Sequence, residues 1–197
     1  QAAHRWEKHR DLRELSGKTA CIIGTGSVGS AIARRLQAFN VQTVGINRSG
    51  HPATEFDQTQ PTCRLDDLLP LADLVICAMP LTAETAGLFD SVRIAKIKPG
   101  AVFVNVARGK VTDQQALAEA LQSGQLSGAV LDVFEEEPLP RSSPLWDMEN
   151  VIITPHISGH DDDPINVASI YSIFQDNLTR WINHQPLTHI IDRSRGY

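Results

Sequence analysis

The stretch Thr19-Ala20-Cys21-Ile22-Ile23-Gly24-Thr25-Gly26-Ser27-Val28-Gly29, running on through Ser30-Ala31-Ile32-Ala33-Arg34-Arg35-Leu36, decides the fold. It reads as an apolar strand, a glycine turn and a helix whose Ala, Ile and Leu recur at helical spacing. A dinucleotide pyrophosphate needs this order. Gly24 permits a tight turn, Gly26 lets the main chain approach the phosphates, and Gly29 lets helix and strand pack closely. The phosphates then face N–H groups at the positive end of the helix dipole, where Ser27 and Val28 lie. A G-x-G-x-x-G string alone is weak, because glycine turns are common. The strand before it and the patterned helix after it give it meaning.

Outward from that run, strand and helix signals alternate. Strands are predicted over 19–24, 41–46, 73–78, 101–106, 127–132 and 151–154, and helices over 27–38, 66–71, 91–96, 113–122 and 164–183. A loop carrying Pro52 and Pro61 separates the second strand from the short helix. A leading helix over 4–15, with Trp6, Leu12 and Leu15 as candidate buried positions, is stopped by Ser16-Gly17. Leu74-Val75-Ile76-Cys77-Ala78, Ala101-Val102-Phe103-Val104 and Val151-Ile152-Ile153 are apolar almost throughout, as strands covered on both faces are. The fold class is therefore α/β, a doubly wound parallel sheet of the Rossmann kind. Residues 1–16 are expected to form a linking helix, 17–160 the dinucleotide-binding domain, and 161–197 a C-terminal helix and tail. The segment Thr112-Asp113-Gln114-Gln115 reads as a cap for the helix over 113–122, and Asp161-Asp162-Asp163 are placed to cap the one near Pro164. Trp146 and Trp181 are expected to be packing residues.

A net charge of −5 over 197 residues gives no footprint for nucleic acid or an anionic membrane. No run approaches the roughly 18 apolar residues of a membrane span. Cys21, Cys63 and Cys77 form an odd set, with two inside apolar strands. Buried thiols in a reducing cytoplasm suit them better than a disulfide framework. The polar start, Gln1 to Arg10, shows no secretory signal, and the missing initial Met suggests truncation.

In an open parallel sheet, ligands bind beyond the carboxyl ends of the strands. There the chain places Ala107-Arg108-Gly109 after 101–106, Asp132 and Glu135-Glu136-Glu137-Pro138 after 127–131, and Pro155-His156 after 151–154. These types suit reduction of a 2-oxo acid. A protonated His can hold the charge that grows on the carbonyl oxygen and then give up its proton. A neighbouring carboxylate favours the imidazolium, and Arg offers a fork of donors to the substrate carboxylate. Each residue alone has a plainer reading, as a loop His, a solvated Arg or an exposed acidic turn. The set carries the argument, and composition does not say which Glu faces inward. His156 and His160 with Asp161 to Asp163 could pass for a metal cluster. Pro155 and Gly159 argue against the continuous helix it would need, so no metal is expected.

These motifs resemble the D-isomer-specific 2-hydroxyacid dehydrogenases over nearly the whole chain. The matching strings are the Gly24–Gly29 turn, Met79-Pro80-Leu81-Thr82 with Thr85, Phe103 through Val106-Ala107-Arg108-Gly109, Leu131-Asp132-Val133-Phe134 through Glu137-Pro138, and Thr154-Pro155-His156-Ile157-Ser158-Gly159. The resemblance implies that Arg108 binds and polarises the substrate, that His156 is the acid/base, and that Glu137 is its partner. It implies that Asp132 contacts the nicotinamide carboxamide. Met79, Pro80, Leu81, Thr85, Val106, Ala107 and Gly159 would lie along the cofactor. It also implies a separate N-terminal substrate domain, absent here, and a homodimer. Helices 4–15 and 164–183 would then lead to and from that domain with exposed apolar faces.

An NAD site usually places a carboxylate about 20 residues past the glycine turn. Here Asn47-Arg48-Ser49 ends the second strand, Arg48 lying 19 positions after Gly29, and no carboxylate precedes Glu55. Arg48 and Ser49 could bind a 2′-phosphate, which favours NADP(H), with NAD(H) as the alternative. The leading function is NAD(P)H-dependent reduction of a small 2-oxo acid to its D-2-hydroxy acid, or the reverse. The alternative is a non-catalytic nucleotide sensor similar to dehydrogenase-like corepressors.

Overall fold

The computed structural model describes His4, residues 12–159 and residues 163–193. Its frame is a seven-stranded, wholly parallel sheet in the order β3-β2-β1-β4-β5-β6-β7. The strands are β1 (Thr19–Ile23), β2 (Gln42–Asn47), β3 (Gln58–Pro61), β4 (Leu74–Cys77), β5 (Val102–Asn105), β6 (Gly128–Leu131) and β7 (Val151–Ile153). The helices are α1 (Ser27–Gln37), α2 (Leu65–Leu68), α3 (Ser91–Ala95), α4 (Gln114–Gln122) and α5 (Pro164–Ile182). This is the doubly wound α/β sheet expected from the sequence.

Alternation along β1 sorts side chains into two layers. Ala20 and Ile22 pack with Ala33 of α1, Val41, Phe56 and Ile76 on one face. Cys21 and Ile23 join the larger core of the other face, with Val75, Phe89, Phe103 and Leu117. Phe89 and Phe103 meet edge to face at 5.2 Å. Strand order reverses between β1 and β4, so a crevice opens at the carboxyl edge there.

Several expectations need correction. β3 lies in a stretch expected to be loop. Gln58-Thr59-Gln60-Pro61 lacks an apolar pattern because it is the sheet's edge, where Pro is tolerated. The short helix expected over 66–71 is one turn of α-helix followed by a 3-10 turn at Leu69–Leu71. β7 is not covered on both faces: Ile152 is 60% exposed. The helix expected over 4–15 falls mostly outside the described residues, and residues 12–15 are not helical. Leu12 is exposed there, so a short helix would lack the apolar burial that normally stabilises one.

Asp113 caps α4 by accepting from Ala116 N–H, and Asp163 caps α5 by accepting from Ile165 N–H. Asp161, Asp162 and His160 lie outside the described residues. Cys21 and Cys77 are buried and Cys63 is exposed, all three unpaired. Trp146 and Trp181 are more than half exposed, so neither packs as expected. α5 contains no buried residue, and Ile165, Ile170, Phe174 and Trp181 face outward. No described helix is long and apolar enough to cross a membrane.

Candidate active site

The glycine turn joins β1 to α1, and its three glycines differ in why they must be glycine. Gly24 has φ +108°, and a β-carbon there would run into the Ala78 carbonyl. A β-carbon on Gly29 would strike the carbonyl oxygen of Gly24, so this residue sets how closely α1 sits on β1. Gly26 has an ordinary φ of −76°, and a β-carbon on it would meet nothing within 4 Å. Neither backbone nor packing calls for glycine at 26. The open space lies at the N-terminus of α1, which no side chain caps and whose first turn holds no acidic residue. A pyrophosphate fits that cradle on both steric and electrostatic grounds.

The crevice beside it, about 380 Å³, is bounded by Gly24 and Gly26, by Ile46, Asn47 and Arg48 at the end of β2, and by Met79, Pro80 and Thr85 after β4. Thr82 of the Met79–Thr82 string also lines it, as do Thr62 and Glu84, which the sequence reading did not mention. The Asn47 side chain shapes its own loop, donating to the His51 carbonyl at 2.9 Å and accepting from Gly50 N–H at 2.7 Å. Arg48 projects outward, 3.8 Å from the Glu84 carboxylate. A second hollow is lined by Val28, Met79, Pro80, Leu81, Val106, Ala107 and Arg108, linking the turn to the end of β5. Ser27, Ser49 and Gly159 are exposed and line neither space.

At the end of β5, Asn105 is 2% exposed and folds the loop that presents Arg108. Its carbonyl oxygen accepts from Ala107 N–H at 3.0 Å, and its amide donates to the Arg108 carbonyl at 3.1 Å. A β-carbon on Gly109 would collide with the Phe134 carbonyl, so the Arg108 loop lies directly against the loop after β6.

That second loop separates the three glutamates. Glu135 accepts from Gln114 N–H at 2.8 Å, at the N-terminal end of α4. Glu137 turns the other way, accepting from Phe134 N–H at 2.9 Å through Oε1 and meeting His156 Nδ1 at 2.7 Å through Oε2. Burial pushes the Glu137 carboxyl up. Its hydrogen bonds to His156 and the Phe134 N–H outweigh that and hold it below the usual carboxylate range. An ionised carboxylate can only accept, so Nδ1–H donates, leaving Nε2 available for proton exchange. Glu137 and His156 share an apolar hollow with Phe134, Leu139, Trp146 and Ile153.

Asp132, 2% exposed at the end of β6, folds the His156 loop. Oδ1 accepts from Thr154 Oγ1 at 2.6 Å and Ile157 N–H at 2.9 Å; Oδ2 accepts from Ser158 Oγ at 2.6 Å and Ser158 N–H at 3.1 Å. Its main-chain carbonyl takes the His156 N–H at 2.8 Å. Burial raises the Asp132 carboxyl, and these hydroxyls and amides together bring it below its ordinary value. The carboxylate is thus engaged by its own chain. Thr154 and Ser158 were quoted in the sequence only as members of a motif, and no spacing rule marks them as ligands of Asp132. His156 itself sits in the left-handed region, φ +53°.

Residues 1–158 match the family model described as "D-isomer specific 2-hydroxyacid dehydrogenase, NAD binding domain". The chain belongs to this family. Among its dehydrogenase relatives, the glyoxylate/hydroxypyruvate reductase B of Citrobacter koseri is 46% identical over 145 residues, which is 73% of this chain and 45% of that protein. A D-isomer specific 2-hydroxyacid dehydrogenase family protein from Aeromonas salmonicida superposes with a TM-score of 0.88 at 41% identity, covering 97% of this chain and 60% of that one. An NADPH-dependent glyoxylate/hydroxypyruvate reductase from Sinorhizobium meliloti, solved with NADP and sulfate, gives 0.88 at 32% identity, covering 100% of this chain and 62% of that one. The chain spans less than half the length of the Citrobacter reductase.

Proposed function

We propose that this chain is the nucleotide-binding half of a reductase that converts a small 2-oxo acid, such as glyoxylate or hydroxypyruvate, to its D-2-hydroxy acid. The observation that carries the reading is the 2.7 Å contact between Glu137 and His156 at the carboxyl edge of a parallel sheet. Bound nicotinamide would supply hydride. His156 Nε2 would hold and deliver the proton to the forming hydroxyl oxygen, while Glu137 stabilises the charged ring and fixes its tautomer. Arg108, exposed on the neighbouring loop, would take the substrate carboxylate. Asp132 would act by positioning the His156 loop.

NADP(H) is the favoured cofactor. Arg48 follows the end of β2, where an NAD site usually carries a carboxylate, so a 2′-phosphate would meet a cation there. The groups that close over the substrate would come from a further domain of about a hundred residues.

The test has two stages. Titration of the 197-residue chain with NADPH and NADH should show saturable binding, with little turnover if the groups that close over the substrate lie on a further domain. Joined to its substrate domain, the protein should reduce glyoxylate or hydroxypyruvate, and His156→Asn should lose most turnover while keeping NADPH binding. Undiminished turnover in His156→Asn would defeat the mechanism. Binding without turnover in the joined protein would favour a sensor.

A further inference from the structure

The crevice between β1, β2 and β4 contains an anion facing Arg48. Glu84 lies in the loop after β4, on the wall opposite the end of β2. Its Oε1 is 3.8 Å from Arg48 Nη2, and its Oε2 accepts from Thr82 Oγ1 at 3.2 Å. The Glu84 N–H donates to that same hydroxyl at 3.2 Å. Thr85 braces the turn, accepting from Thr82 N–H at 2.7 Å and donating to the Pro80 carbonyl at 2.7 Å. The carboxylate is therefore held on a fixed turn, while Arg48 reaches toward it from an exposed loop.

We propose that Glu84 determines cofactor specificity by acting as a built-in rival anion for Arg48. This rests on the reading of Arg48 as the 2′-phosphate ligand. With NADH bound, Arg48 keeps Glu84 as its partner. With NADPH bound, the phosphate must draw Arg48 away and also lie near a second negative charge.

Magnitude decides how far this goes. Both side chains are more than 70% exposed, so the pair is weak and cannot bar NADPH. Exposed pairs of this kind tune an equilibrium by about fivefold at most, and repulsion between carboxylate and phosphate adds to it. Glu84 thus sets the chain nearer to dual use of the two cofactors than Arg48 alone would.

The experiment measures Kd for NADPH and NADH on the 197-residue chain with no substitution, Glu84→Gln, Arg48→Ala and both together. Glu84→Gln should tighten NADPH roughly three- to tenfold and leave NADH within about twofold. With Arg48→Ala already present, the gain should shrink. If Glu84→Gln moves both cofactors equally, the residue only shapes the turn, and the proposal is overturned. An unchanged ratio overturns it as well. Arg48→Ala tells the two readings apart: if it weakens NADPH selectively while Glu84→Gln does nothing, only the rival-anion inference falls. If Arg48→Ala leaves the ratio untouched, the phosphate site itself is wrong and the inference falls with it.

Discussion

Glu137 Oε2 lies 2.7 Å from His156 Nδ1, although 18 residues separate the two along the chain. Pairing β6 with β7 in parallel brings the two loops to one edge, and the Phe134 N–H fixes the other carboxylate oxygen. The dyad is therefore set by the sheet and by one main-chain donor.

That geometry has a pH signature. The folded protein holds the Glu137 carboxyl below its ordinary value. Its contribution to stability is present above the unfolded carboxylate pKa and is lost as pH falls through the lower folded value. Glu137→Gln should therefore be less stable than the parent at pH 7, with the gap closing in acid. Urea unfolding at pH 7 and at about pH 3 measures both gaps. A gap that widens in acid would contradict the assigned hydrogen bonds.

Asp132 should matter more for the fold. Removing its carboxylate leaves four donors of the loop after β7 without their acceptor. Asp132→Ala should cost about 2–4 kcal/mol and lower Tm by roughly 5–15 °C. Calorimetry reads this directly, and a Tm within two degrees of the parent would show that the loop does not depend on it.

Two neighbouring glycines should fail in opposite ways. Gly29→Ala should lower Tm markedly, because the new methyl meets the Gly24 carbonyl. Gly26→Ala should keep Tm and weaken dinucleotide binding at least several-fold, since the space it fills is otherwise open. Thermal melts alongside NADPH titrations separate the two, and identical behaviour would remove the case for a phosphate cradle at Gly26.

Arg48→Ala should raise the Kd for NADPH several-fold or more and barely change that for NADH. Fluorescence titration of both cofactors checks it.

The sheet and most of its strands were legible because its inner strands are apolar runs bounded by turn signals, which only burial on both faces requires. β3 was not, since Gln58-Thr59-Gln60-Pro61 pairs on one side alone and needs no apolar pattern. Trp146 and Trp181 show the converse error, because a large ring predicts burial only when some element covers it. At the site, strand-end logic brought out Arg108, Glu137 and His156. It could not separate Glu137 from Glu135, because that choice depends on which carboxylate the start of α4 takes. Glu84 escaped notice for a related reason. Its partner Arg48 is 36 residues away, and only the sheet order makes them neighbours.

The positive φ at His156 governs how its chemistry should be switched off. His, Asn and Asp populate that region far more readily than other residues with a β-carbon. An alanine there would delete the ring and also disfavour the hinge on which residues 157 and 158 turn toward Asp132. Asparagine silences the proton relay while keeping a side chain at ease in that bend. Any deficit it leaves can then be charged to lost acid–base capacity and not to a slackened loop.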